Sequence, residues 1–245
     1  MSYSLYHEFL GQVARYPSLF KAWYWVHRFY RPLVVSRSKE IVIEGFPRCA
    51  NSFTVLAFEQ AQGRPVAIAH HLHAEAQVLL GIRYGLPILV LTREPVGAVT
   101  SLVTRHPEMG VGQAMKRYIM FYGAVANVQD KVVLADFREV TTNFAQVIDR
   151  LNSRYLTHYT PYHNSDAEDA SVFAAIETLN RERFHGAEGM TSIPTEAKKK
   201  LLDARRGEVL SHPLLEQAQA IFARICSTSP ALAAGHDGKP SCAGS

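Results

Sequence analysis

The sequence predicts an α/β fold, a three-layer sandwich around a mainly parallel central sheet. Three observations carry this. Short apolar runs recur at 40–45, 65–69, 87–92 and 131–137, and segments of helical periodicity separate them. The run "PILVLT" is continuous rather than alternating, the pattern of a strand covered on both faces. Strands alternating with helices at this spacing imply βαβ units. A chain of 245 residues with 47% hydrophobic and 20% charged residues can bury a sizeable core. It reads as one domain over residues 1–225.

The elements follow in order. Residues 4–35 read as helical, with 1–37 as a distinct N-terminal segment. The stretch "LFKAWYWVHRFYRPLVV" sets Trp23, Trp25, Phe29 and Tyr30 beside Lys21, His27, Arg28 and Arg31. It reads either as a helix packed on the domain or as a peripheral membrane contact through residues 18–35. A first strand at 40–45 leads into a helix from Ser52 to about Gln62. "PVAIA", 65–69, is a short strand, and a helix covers Ala74 to Tyr84. After the strand 87–92, "PVGAVTSLVTRH" is helical with Pro95 in its first turn. A further helix covers about 111–128, "KVVLADF" is a buried strand, and "TNFAQVIDRLNSRY" is helical with Thr142 or Asn143 as cap. Residues 158–172 are polar and read as a loop, as does the glycine-containing 184–194. Two helices close the domain, "TEAKKKLLDARRGEVL" with Thr195 as cap and "HPLLEQAQAIFARI". The small, polar segment 226–245 reads as a disordered tail.

Composition narrows the function. A net charge of +4 and a pI near 9.0 favour an anionic ligand. The excess is too small to argue for a nucleic-acid groove, and no compact Lys/Arg stripe with interleaved aromatics supports one. Cys49, Cys226 and Cys242 are odd in number and lack metal spacing, which points to a reducing, cytoplasmic compartment. "MSYSLYHEFLGQ" does not have the shape of a signal peptide, and no uncharged apolar run is long enough to span a membrane.

The stretch "GFPRCANSFT", residues 45–54, joins a strand to a helix and has the outline of a phosphate cradle. A helix N-terminus offers unpaired amides and a partial positive charge, and small residues let an anion approach them. The donors would be the amides around Cys49 to Thr54, with hydroxyls from Ser52 and Thr54. The lysine of the common ATP loop is replaced by Asn51, and a cation, Arg48, stands earlier in the loop. An ordinary helix cap accounts for the same residues. A second element follows the buried strand 87–92. Arg93 stands at its C-terminal end, where ligands bind in open α/β sheets, and Ser101 lies eight residues on. A guanidinium fork there suits a phosphate; a surface turn with a solvent-facing serine is the plainer reading.

Together these elements resemble the sulfotransferases that use 3′-phosphoadenosine-5′-phosphosulfate (PAPS). "PRCANSF" is similar to that family's first loop, P-[KR]-[SC]-G-[NT]-[ST]-[FW], and "REPVGAVTS" is similar to its second motif in residues and spacing. "VVLADFREVTTNFAQVIDRL" looks like its later strand, acidic turn and helix. The resemblance covers about residues 40–155. One position departs: the loop glycine is Ala50 here. The resemblance implies a P-loop-like, sulfotransferase-type fold and PAPS as sulfuryl donor. Arg48, Cys49, Ala50, Asn51, Ser52, Phe53 and Thr54 would surround the 5′-phosphosulfate, and Arg93 and Ser101 the 3′-phosphate. Arg48 would stabilise the transition state. No metal is expected, and the acceptor would be a hydroxyl on a carbohydrate or small molecule. A C-terminal loop that closes over the 3′-phosphate maps best onto "RERFHGAEGMTSIP", through Arg183 and Gly186, with Arg205-Arg206-Gly207 a nearer match in letters.

An acceptor hydroxyl must lose a proton as it attacks, so a base helps. "AIAHHLHAEA" supplies His70, His71 and His73, and histidine titrates in the useful range. His71, 22 residues before Arg93, looks like the family's catalytic position. His70 and His73 are substitutes, Glu59 and Glu75 carboxylate alternatives. Structural histidines or a metal site are competing readings. The rival functions are a nucleotide kinase or NTPase, with Asp136 as a metal-binding aspartate, and a non-catalytic binding or membrane-surface adaptor. Trp23, Trp25, Tyr118, Phe121 and Tyr122 are candidates to line an acceptor pocket. Oligomeric state is not readable.

Overall fold

A computed structural model describes residues 11–183 and 196–227. Its centre is a four-stranded, all-parallel sheet of β1 (Ile41–Gly45), β2 (Ile68–His70), β3 (Ile88–Thr92) and β4 (Val133–Asp136), in the order β2–β1–β3–β4. All residues of β1 and β3 are buried, which explains their continuous apolar runs. The register sets Gly45 beside Leu91 and Thr92 beside Asp136, so the strands end at one common edge.

The strand order decides where a ligand can bind. From β1 the chain moves outward to β2, then crosses back to β3 on the other side. The switch point is therefore the crevice between the carboxyl ends of β1 and β3. Right-handed crossovers send the helix after β1 and the helix after β2 to opposite faces. The packing sorts the same way. On one side, α2 (Asn51–Gln62) packs against α6 (Phe137–Thr142) and α8 (Asp166–Arg183). On the other, α3 (Glu75–Tyr84) packs against α1 (Pro17–Val26) and α5 (Val111–Ala126), while α4 (Pro95–Arg105), α9 (Glu196–Leu210) and α10 (Leu215–Ser227) pack among themselves and on α5. This α/β arrangement is compatible with three layers. The remaining helix, α7 (Phe144–Tyr155), packs on α6 and β4.

Several boundaries differ from the sequence reading. The N-terminal helix breaks at Tyr16 and His27, and Arg28–Leu33 is a 3₁₀ helix. The second strand begins at Ile68, because Pro65 cannot donate to a ladder. The segment 158–172 is a loop only to Ser165. There Ser165 and Glu168 form a reciprocal cap (Ser165 N–H to Glu168 Oε2, 3.1 Å; Glu168 N–H to Ser165 Oγ, 3.4 Å), and α8 follows. Neither Thr142 nor Asn143 caps α7 with its side chain. Thr142 ends α6, and Asn164 Oδ1 accepts from the Phe144 amide at 2.7 Å. Cys226 and Ser227 belong to α10 rather than to a tail. The loop 184–194, Gly186, the Thr195 cap and residues 228–245 lie outside the described residues.

Candidate functional site

The loop between β1 and α2 lies at the switch point, and its backbone is unusual. Arg48 (φ 71°) and Ala50 (φ 64°) are both left-handed. Ala50 occupies the N-cap of α2 and supplies no side-chain acceptor to the helix amides. The loop after β2 repeats this, with His71 at φ 58° and His73 at φ 50°. Four of the six left-handed non-glycine residues among those described thus fall in two loops at one sheet edge. Each costs about 1–2 kcal/mol, and strain of this kind concentrates where surrounding structure over-determines it.

The over-determination is visible. Glu44, fully buried at the end of β1, accepts at Oε1 from the Leu72 amide (2.9 Å) and Gln77 Nε2 (3.0 Å). At Oε2 it accepts from the amides of His73 (3.0 Å) and Gly45 (3.3 Å). His73 donates from Nδ1 to the Gly45 carbonyl at 2.7 Å, because a carbonyl can only accept, and that fixes its tautomer. Arg117 on α5 grips Glu75 through two nitrogens (2.7 and 3.1 Å) and reaches the His73 carbonyl at 2.5 Å. On the first loop, Asn51 Nδ2 donates to the Phe46 carbonyl (2.9 Å). Arg93 donates to the Arg48 carbonyl (2.9 Å), and Tyr118 donates to the Arg93 carbonyl (2.8 Å). Gly45 is required here, since a Cβ would lie 2.8 Å from the Leu91 carbonyl oxygen.

Cations gather on the loop. Arg48 Nε donates to Ser101 Oγ at 3.0 Å, joining residues 53 apart in sequence. Arg93 lies over the Phe137 ring, 4.3 Å from its centre. Burial, then the neighbouring charges of Arg105 and Arg93, push Arg48 below its ordinary value. No ion pair among the described residues engages Arg48 or Arg93. Among the described residues Arg48 meets no carboxylate, and Ser101 faces its guanidinium rather than only solvent. Glu94 is occupied in capping α4, accepting from the Gly97 amide at 2.5 Å. Nothing local in the sequence marks Arg105 as a neighbour of Arg48 beyond its place four residues after Ser101, one turn along the same helix face.

The remaining loop residues divide by direction. Ser52 is exposed and its Oγ lies 3.0 Å from His71 Nε2. Cys49 points inward. Its Sγ is 3.3 Å from the Tyr122 hydroxyl, whose single proton goes to the Leu91 carbonyl, so the thiol is the donor. Burial pushes that thiol up to about 12, which leaves it inert. Thr54 turns its hydroxyl back to the Ala50 carbonyl (3.0 Å), and Phe53 packs on Tyr162 and Phe173. The side chains of Cys49, Phe53 and Thr54 thus face the interior, which leaves only their backbone groups on the loop surface. Asn51 Oδ1 is buried without a donor.

At the second loop, His70 Nδ1 and His71 Nδ1 approach to 2.5 Å, so one ring carries a proton between them. With that proton on His71, Nε2 of the neutral ring is an acceptor. Glu75 is held by Arg117, and Glu59 lies two turns along α2 from Ser52, with burial raising its carboxyl. No group of three potential metal ligands is present among the described residues. Asp136 caps α6, accepting from the Arg138 amide at 2.8 Å. Tyr118, Phe121 and Tyr122 are core residues. Arg183 ends α8, and Arg205 pairs with Glu208 along α9. Two open grooves, of about 750 and 520 Å³, are lined by residues such as Arg154 and Tyr155, and Glu40 and Pro87. They include no residue of either loop, so volume and chemistry disagree, and the strained, cationic edge is the better candidate site.

No protein-family model, no curated protein and no solved structure matches the chain.

Two predictions follow from this geometry. Replacing Ala50 with glycine removes a Cβ from a left-handed position, so Ala50→Gly raises stability by about 1 kcal/mol in urea unfolding; an unchanged or lower midpoint contradicts the strain. Burial raises the Glu44 carboxyl to about 7, against four donated hydrogen bonds that lower it. The folded protein then holds a proton that the unfolded chain releases from about pH 4.5 upward. Stability from this group is present below that pH and is lost as pH rises to about 7. Wild type therefore loses stability across this window relative to Glu44→Gln, and parallel profiles from pH 4.5 to 7.5 would count against the assignment.

Proposed function

We propose that the protein is a sulfotransferase that takes a sulfuryl group from PAPS and gives it to an acceptor hydroxyl. The observation that carries this reading is the Arg48–Ser101–Arg93 cluster at the switch point. Residues of the two resembling motifs, far apart in sequence, converge there with cationic side chains that form no ion pair with a carboxylate among the described residues. An anion that accepts from a guanidinium fork and a hydroxyl fits this chemistry. The donor set suits phosphate and sulfuryl oxygens, and the uncapped start of α2 adds amides of the same polarity.

The donor supplies a sulfuryl group on an activated phosphosulfate linkage. The acceptor oxygen forms a bond to sulfur as the bond from sulfur to the bridging phosphate oxygen breaks. The acceptor's proton goes to His71, and the products are a sulfate ester and the 3′,5′-bisphosphate. With the shared proton on His71 Nδ1, His71 Nε2 is a neutral acceptor suited to this task, held by the Ser52 hydroxyl. Arg48 meets the charge that develops on the leaving oxygen. Arg93 and Ser101 bind the 3′-phosphate. Asn51 acts through the loop, tying its turn to Phe46. A kinase or NTPase would need a metal-binding carboxylate at the edge, and the candidate, Asp136, turns Oδ1 to the cap of α6.

Calorimetric titration with 3′-phosphoadenosine-5′-phosphate, without magnesium, tests the donor site. Micromolar binding, about −8 kcal/mol, is expected, with loss in Arg93→Ala. No binding, or tighter binding of magnesium ATP, overturns the reading. Where an acceptor turns over, Arg48→Ala lowers kcat by about 10²–10³.

A further inference from the structure

We infer that the N-terminal segment docks the protein on an anionic lipid bilayer. The charge distribution is the first ground. The chain holds 26 Lys and Arg and 22 Asp and Glu. Residues 9–39 contain six of the basic residues (Arg15, Lys21, Arg28, Arg31, Arg37 and Lys39) and none of the acidic ones. The rest of the chain therefore carries 20 basic against 22 acidic residues, so the whole positive excess sits in this segment. The next acidic residue, Glu40, is neutralised by Arg64 at 2.6 Å.

The second ground is what the segment exposes. Phe20 is buried and Tyr24 packs on the core, which fixes the inner face of α1. Outward stand Trp25, 74% exposed, Val26, 72%, Phe29, 82%, and Leu19, 50%. Aromatic and aliphatic side chains so exposed on one short stretch mark an interaction surface. The cations sit beside them. Arg31 lies 4.9 Å from the Trp25 ring centre and donates to the Trp25 carbonyl, while Lys21 and Arg37 flank the Tyr84 ring. Rings at headgroup depth, with Lys and Arg reaching anionic headgroups, are how an interfacial helix binds a membrane without crossing it. No described helix is long and apolar enough to cross one. A bilayer fits this surface better than a protein partner, because the charge is of one sign and the apolar contacts are large, protruding rings. This inference is independent of the donor chemistry.

The two tryptophans of the chain, Trp23 and Trp25, both lie on α1, so tryptophan fluorescence, excited selectively over tyrosine, reports on this helix. Full-length protein is titrated with phosphatidylcholine vesicles, with and without phosphatidylglycerol, and pelleted with them. The expected result is a blue shift and co-sedimentation with the anionic vesicles only, weakened several-fold by raised salt. The double variants Trp25→Ala/Phe29→Ala and Arg15→Glu/Lys21→Glu each lower vesicle binding about tenfold or more, with unchanged circular dichroism. All four side chains are exposed, and a Trp23→Phe protein, which keeps Trp25 as the reporter, retains the blue shift. No binding to anionic vesicles, or equal binding by the variants, overturns the proposal. So does a dimer in solution that Trp25→Ala/Phe29→Ala dissociates, since the surface would then belong to a second copy.

Discussion

Glu44, next to last in β1, has its carboxyl fully buried, and both loops of the candidate site hang on it. Its oxygens take amide hydrogens from Leu72 and His73 in one loop and from Gly45 at the start of the other. Removing such a group would leave buried donors unpaired, at about 1–3 kcal/mol each. The left-handed residues at 48, 50, 71 and 73 can persist because this hub, with Arg117 and Asn51, leaves the backbone few alternatives. The cost of burying a charge opposes it, which is why the carboxyl titrates near 7 rather than in the ordinary range.

The hub also reaches the N-terminal segment. Gln77 donates to Glu44 and to the Leu33 carbonyl, and accepts from the Val35 amide, so its amide is fully used. A buried chain of hydrogen bonds thus runs from the aromatic, basic segment through Gln77 and Glu44 to the histidine loop. The proposed membrane surface and the proposed active edge share one rigid support, on the α3 side of β1.

Much of this was legible in the sequence. Continuous apolar runs gave away the parallel strands, and Arg93 at the end of one of them marked the edge that carries the candidate site. The pairing of Arg48 with Ser101 was foreshadowed only in that each belonged to a recognisable motif; their contact needed the strand order. Local signals misled at 158–172, where polar residues hid the capping pair Ser165 and Glu168. The α7 cap was supplied from Asn164, which no local rule could reveal. Glu44 is legible only as an acidic residue inside an apolar strand, which is costly unless paired. Arg105 is a tertiary partner, readable only as one turn from Ser101.

The central claim is that the loop 46–53 and Arg93 hold a bisphosphorylated adenosine. Amide and guanidinium NMR spectra, recorded as 3′-phosphoadenosine-5′-phosphate is added without metal, test it most directly. The account predicts large, saturable shifts at the amides of Asn51, Ser52 and Phe53 and at the Arg48 and Arg93 side chains, with little change along α9 and α10. Shifts confined to residues away from the β1–β3 crevice, or none at all, would contradict it.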